Sequence, residues 1–465
     1  MSKSEKQVKR TRDLYQSAEK IYPRQVHGLF ARLRVLSVWA LLGFFYIGPW
    51  LTWDGRQAIL LDLPARQFHL FGITFWPQDF IFLTAILIIA ALALFFFTSV
   101  AGRLWCGFAC PQTVWTETFI WIERFVEGDR NQRMKLDKQP WSVRKVSIKA
   151  TKHFLWLSFA LFTGYTFVGF FSPIKELTVD LIEWTLGPWE MFWVFFYALA
   201  TYGNAGWLRE QVCLYMCPYA RFQSAMFDEE TLIIAYDEKR GESRGHRKKD
   251  DTEYKIKGLG DCIDCKQCVH VCPTGIDIRN GLQYECIACA ACIDVCDDVM
   301  DKMGYDKGLI RYSTENAMKG KPTKVLRPKT ILYGSLLTGL LIAFFVSLAY
   351  RTPIELDIIR DRQRLYVETD QGLIQNVYTI KVANMAQVAH NYRLTVAGLP
   401  DIELVGETEF SVDSGKIKTL TFRVAVDPGD LTNTVNDLYF TIQSTDDETI
   451  EQTQESRFIG PALGR

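Results

Sequence analysis

The chain has no surplus of charge of either sign: Lys plus Arg and Asp plus Glu number 53 each over 465 residues. That balance removes the broad electropositive field on which nucleic-acid binding depends, so no nucleic acid is expected among the partners. Cysteine is missing beyond Cys296, and none of the 12 cysteines stands outside four short motifs. Secreted disulfide scaffolds are short and spread their cysteines widely, so this distribution excludes one and points to ligation in a reducing compartment. No cleavable leader is expected either. The first apolar run follows a polar segment, 1–34, without a short hydrophobic core or small-residue cleavage site, so it is expected to act as a signal anchor.

What is present is segregated. The chain is 48% hydrophobic and 14% aromatic yet 23% charged, a mixture that suits a partly membrane-embedded protein with polar domains. Five apolar runs, 35–53, 80–100, 154–171, 191–207 and 331–350, are expected to form transmembrane helices. The fourth also fits a buried helix of a soluble domain, but its Trp and Tyr flanks resemble interfacial anchors. Lys and Arg alternate between the loops: nine in 1–34, two in 54–79, nine in 101–149, one in 173–190, and many in 208–330. Positive flanks stay on the cytoplasmic side, which predicts an N-in, C-out chain with everything after 351 outside. The basic run 239–249 then reads as a solvated linker, and weak alternation around Pro64 in the first outer loop predicts a small hairpin on the membrane surface.

From Ile354 onward apolar residues recur with period two, in 377–383, 392–396, 417–424 and 438–442, separated by Gly, Pro, Asp and Asn. Roughly seven to nine short strands at this spacing predict an immunoglobulin-like β-sandwich without the Cys and Trp hallmarks of antibody domains. Met385 and His390 could form a copper ligand pair there, although the surrounding Asn-Met-Ala-Gln run is ordinary turn chemistry. The expected architecture is a multi-domain membrane protein, an α-helical transmembrane bundle with an inserted two-cluster ferredoxin-like domain and an all-β sandwich. Its segments are 1–34 cytoplasmic, 35–230 membrane helices, 231–328 ferredoxin-like, 329–351 the fifth span, and 352–465 periplasmic.

Two runs carry the strongest signal: Cys262, Cys265, Cys268, Cys272, and then Cys286, Cys289, Cys292, Cys296, each C-x2-C-x2-C-x3-C. The short spacings wrap three thiolates about one cubane, and the fourth cysteine ligates the other cluster in two-cluster ferredoxins. The predicted sets are crossed: Cys262, Cys265, Cys268 and Cys296 for one [4Fe-4S] cluster, Cys286, Cys289, Cys292 and Cys272 for the other. A zinc ribbon would need two separated pairs per metal instead. Pro273 follows the first run, whereas Asp297 stands in the corresponding place after the second, which is expected to alter the potential of one cluster without threatening ligation.

The other four cysteines form a repeat, Cys106-Gly-Phe-Ala-Cys110-Pro111 and Cys213-Leu-Tyr-Met-Cys217-Pro218, each at the end of an apolar run. Two equivalent half-sites of paired thiols suit soft Cu(I) or a dithiol–disulfide couple, with Met216 and Met226 as auxiliary candidates. Plain packing is the alternative, since cysteine is a good small hydrophobe beside a membrane.

Together, the repeated C-x3-C-P motifs, the eight-cysteine segment, the fifth span and the outer sandwich resemble the CcoG family, also called FixG or RdxA, over nearly the whole chain. Residues 105–117 and the run Cys272-Pro-Thr-Gly-Ile-Asp-Ile278 are particularly similar. The resemblance implies a protein of the bacterial inner membrane that assists assembly of cbb-type cytochrome c oxidases and reduces Cu(II) to Cu(I) during copper delivery. It implies copper at Cys106, Cys110, Cys213 and Cys217, electrons relayed by the two clusters, and copper chaperones, oxidase subunits or assembly factors as partners. The electron donor is left unassigned, and a homodimer would bring further thiols together. Two other functions fit the same residues: a quinol-linked membrane ferredoxin resembling the NapH and NosR types, and a non-catalytic assembly scaffold.

Overall fold

Among the described residues three helices are long and apolar enough to cross a membrane: Leu29–Trp50, Pro77–Ala101 and Pro328–Ala349, with mean hydropathies of 1.5, 3.0 and 2.2. They correspond to the first, second and fifth expected spans. The third falls on the helix Val143–Val168, whose first turns carry Arg144, Lys145, Lys149 and Lys152 and leave only a short apolar stretch. The fourth divides into an α-helix, Pro188–Thr201, and a wider π-helix, Tyr202–Leu208. These two helices pack so closely that a Cβ at Gly164 would overlap the Val194 carbonyl.

The computed structural model describes residues 20–249, 253–362, 364–386, 388–447 and 449–461. The chain forms two units: one takes the residues up to Leu51 and Ile88–Thr338, the other Thr52–Leu87 and the residues from Gly339 onward.

In the first unit, the cysteine-rich segment is framed by a two-stranded antiparallel ladder, Ile233–Tyr236 with Ile310–Ser313. Helix Gln267–His270 carries Cys268 of the first cysteine run, and helix Ala291–Met303 carries Cys292 and Cys296 of the second. The first is short, and Pro273 lies just beyond its end. Asp297 lets the second run on to Met303, and its carboxylate accepts a 2.9 Å hydrogen bond from the Gly308 N–H. The basic run 239–249 differs from the expected solvated linker. Arg240 donates to Asp261 at 2.5 Å, and Arg247 lies over the Tyr254 ring at 4.3 Å, so both pack onto this domain.

In the second unit, the described residues from Ile354 onward form nine strands in two antiparallel sheets. One sheet runs Glu403–Val405, Ile417–Val426, Ile374–Asn384, Ile354–Arg360, with Val367–Glu368 also paired to Ile374–Asn384. The other runs Glu409–Val412, His390–Ala397, Val435–Ser444, Glu451–Ile459. Tyr378, Ile380, Val382, Phe422, Leu438, Phe440 and Phe458 are fully buried between them, following the alternation visible in the sequence. Residues 59–75 form a three-stranded meander, one strand more than the expected hairpin. Gln67 Nε2 donates to the Gly415 carbonyl at 3.1 Å, and Arg351 pairs with Asp79 at 2.5 Å. Met385 is buried, and its sulfur accepts from Arg351 at 3.4 Å, a cationic neighbour that does not suit copper ligation.

Candidate iron-sulfur and thiol site

Each C-x2-C-x2-C loop uses the same backbone device. Asp264 and Lys266 in the first, Ala288 and Ala290 in the second, adopt left-handed φ values of 52°, 57°, 54° and 59°. Four non-glycine residues in that region, at duplicated positions, bend each loop around one centre at a cost of order 1 kcal/mol apiece.

The outcome is two neighbouring cavities. Cys262, Cys265, Cys268 and Cys296 line one, with Tyr236, Arg279 and Met300. Cys272, Cys286, Cys289 and Cys292 line the other, with Ile276 and Ile278, and Cys268 borders this one as well. Burial pushes the thiols of Cys268 and Cys286 up to about 12 and raises those of Cys265, Cys289, Cys292 and Cys296. Such clustered thiols ionise only when a metal takes the proton's place. Among the described residues no three His, Cys, Asp or Glu side chains converge tightly enough to hold one ion. Four thiols spread around a cavity therefore fit a multi-iron cubane better than a single tetrahedral zinc.

Arg279 was not singled out by sequence. It is 4% exposed at its side chain and pairs with Asp264 at 2.6 Å and Asp277 at 2.7 Å, placing a fixed cation beside Cys268.

The two C-x3-C-P motifs are built alike at one end and differently at the other. Cys110 and Cys217 are the N-cap residues of helices Pro111–Glu127 and Pro218–Met226, each with Pro at N1. Cys106 lies in a short α-helix, Leu104–Phe108, whereas Cys213 lies in a π-helix, Val212–Met216. The four thiols share one electrostatic neighbourhood. Burial raises Cys106 to about 11, with Cys110 and Cys217 adding to it, and raises Cys213 to about 12, with Cys110, Cys106 and Cys217 adding. Gln223, fully buried, reaches Cys106 Sγ at 3.6 Å, and Met216 is exposed.

This thiol group abuts the second cysteine cavity. Cys106 packs against the buried cluster of Val271, Ile287, Cys289, Ala291 and Val295. A Cβ at Gly107 would lie 2.8 Å from the Ile287 carbonyl oxygen and 2.9 Å from that of Ala288, so glycine permits the two loops to touch. Arg103, buried, donates to the Tyr284 carbonyl ahead of Cys286 and, at 2.6 Å, to the Ala220 carbonyl behind Cys217. The one sequence signal for it was an arginine shortly before each motif, Arg103 and Arg209.

Apolar helices, sulfur-lined cavities and an appended β-sandwich define a membrane-associated iron-sulfur redox protein. A 4Fe-4S dicluster domain pattern matches residues 208–315 and a 4Fe-4S binding domain pattern residues 82–132. The pattern described as an IG-like fold at the C-terminal of FixG matches residues 344–461. The chain is 42% identical to Protein RdxB of Cereibacter sphaeroides over 90% of its own length and 91% of the relative's. To Protein RdxA of the same organism it is 41% identical, covering 83% and 84%. To the nitrogen fixation protein FixG of Rhizobium meliloti it is 38% identical, covering 83% and 81%. The chain belongs to the CcoG/FixG/RdxA family. A crystal structure of a FixG-related protein from Vibrio parahaemolyticus matches 24% of this chain and 99% of that one, at 30% identity and a TM-score of 0.23.

Proposed function

We propose that the protein is a cupric reductase that converts Cu(II) to Cu(I) for delivery during assembly of a cbb-type cytochrome c oxidase. The observation that carries this reading is the join between the two sulfur sites, where Cys106 shares a core with Cys289 and Gly107 lies against Ile287 and Ala288. In this reading Cys262, Cys265, Cys268 and Cys296 hold one [4Fe-4S] cluster, and Cys272, Cys286, Cys289 and Cys292 the other. The clusters supply one-electron storage. Cys106, Cys110, Cys213 and Cys217 receive the copper, each thiol giving up its proton on binding, and their soft sulfur favours the Cu(I) product over Cu(II). Arg103 keeps the half-sites and the second cysteine loop in register through its two carbonyl partners.

The charge alternation of the loops supports five crossings, with the cysteines at the cytoplasmic face and the sandwich in the periplasm. The sandwich then offers a surface for a copper chaperone or an oxidase subunit.

The test replaces all four motif cysteines by serine in the full-length protein, reduces the clusters with dithionite, and removes the excess by desalting before Cu(II) is added. Cu(II) reduction should be lost while iron stays at about eight per chain, two clusters of four. Undiminished reduction would sink the assignment.

A further inference from the structure

A cavity of about 590 Å³ in the first unit is not used by the copper reading, within the range of pockets that bind small organic ligands. One wall is the start of the helix Leu29–Ile47, with Val35, Leu36 and Trp39. Another is the helix Pro111–Glu127, with Glu117, Trp121 and Arg124. Cys289 and Cys213 both border the cavity, so it touches the second cysteine cavity and the copper-assigned thiols together.

Its chemistry is amphipathic. Leu36 and Trp39 are 66% and 67% exposed on a helix apolar enough to cross a membrane, which gives an apolar ligand in the bilayer a route in. The Glu117 carboxylate accepts from Trp121 Nε1 at 2.9 Å and lies 3.8 Å from Arg124. Arg124 Nε is buried without a hydrogen-bond partner among the described residues, a donor free for a ligand oxygen. The arginines of the lining outnumber its carboxylates five to two, which opposes entry of a divalent cation and favours a neutral ligand that passes through an anionic state.

We propose that this cavity binds a membrane quinol and is where electrons enter the protein. Oxidation breaks the two quinol O–H bonds and releases two protons and two electrons. One proton goes to the Glu117 carboxylate and one to water, while Arg124 holds the ring oxygen as its charge changes. The electrons leave through the Cys289 wall, and on the copper reading, on which this inference rests, they reduce two Cu(II) to two Cu(I) for each quinol oxidised.

The experiment uses the full-length protein in phospholipid nanodiscs with a short-tailed azido-ubiquinone as photolabel. The label should attach to residues 31–39 or 112–124 and be displaced by unlabelled ubiquinone, and Val35→Trp, which fills the cavity from an exposed position, should weaken binding by about tenfold. Intact visible cluster absorbance in that variant, with unchanged copper reduction by protein reduced with dithionite and then desalted, establishes that it folds. Labelling elsewhere, displacement by anionic phospholipid but not by ubiquinone, or unchanged affinity in Val35→Trp would overturn the proposal. Quinone binding at this cavity with no copper reduction by the pre-reduced, desalted protein would support the site while removing the copper reading, so the two failures are distinguishable.

Discussion

Buried charge is where single residues decide most in this chain. Glu123 is completely buried, and Arg133 and Arg209 each reach its carboxylate at 3.0 Å, with Lys152 at 3.8 Å. Burial alone would raise the carboxyl, but the charges of Arg209, Arg133 and Lys152 outweigh it and hold it below the usual range. Removing one partner from such a group leaves the others as uncompensated charges in a low-dielectric interior. Glu123→Gln is therefore expected to destabilise the first unit by about 3–5 kcal/mol, read from denaturant unfolding of the solubilised protein. A loss well under 1 kcal/mol would mean that water reaches and screens these charges. None of this was legible in sequence, because the partners lie up to 86 residues apart.

At the scale of elements, the loops around the cysteines carry the function. Gly107→Ala would force the first C-x3-C-P loop away from Ile287 and Ala288, both backbone contacts that cannot rotate aside. Copper reduction should fall by about tenfold or more with cluster absorbance retained, since small displacements between reacting groups are costly. A wild-type rate would show that the close approach is not needed. A second consequence concerns acid. The hydrogen bond from Arg279 holds Asp264 below the usual carboxylate range, and Arg279 holds Asp277 there against the opposing effect of burial. Depressed folded values give stability that is complete above the unfolded pKa of about 3.9 and is lost as pH falls through the folded values. The stability gap between the native protein and Arg279→Gln should thus be constant from neutral pH to about 4 and narrow below it, in unfolding curves recorded across that range. A gap that widens on acidification would rule this linkage out.

For the whole molecule, the division into two units predicts that damage to one core is confined. Phe440 is fully buried in the sandwich, and Phe440→Ala should cost about 3–5 kcal/mol there through lost burial and the cavity left behind. Iron content should not change, since the cysteine cavities belong to the other unit. Iron analysis beside thermal melting checks both halves of the expectation, and loss of iron would show that the units fold as one.

The sequence by itself determined the local patterns. Duplicated cysteine intervals announced two sulfur-lined cavities and their crossed membership, and period-two alternation announced the sandwich, because both signals fit within a few residues of chain. It also placed three helices that are long and apolar enough to cross a membrane, while charge in one helix and a change of winding after another left the remaining two short of that measure. Only the tertiary structure decided how these parts meet. The Asp294 carboxylate accepts from the N–H groups of Phe30 and Ala31 at 3.1 and 2.7 Å, so a residue of the second cysteine helix caps the first apolar helix across more than 260 positions. Arg103 ties the Tyr284 loop to the helix Pro218–Met226 in the same way. Contacts at such separations follow from packing and closure of the whole chain, which no local periodicity encodes.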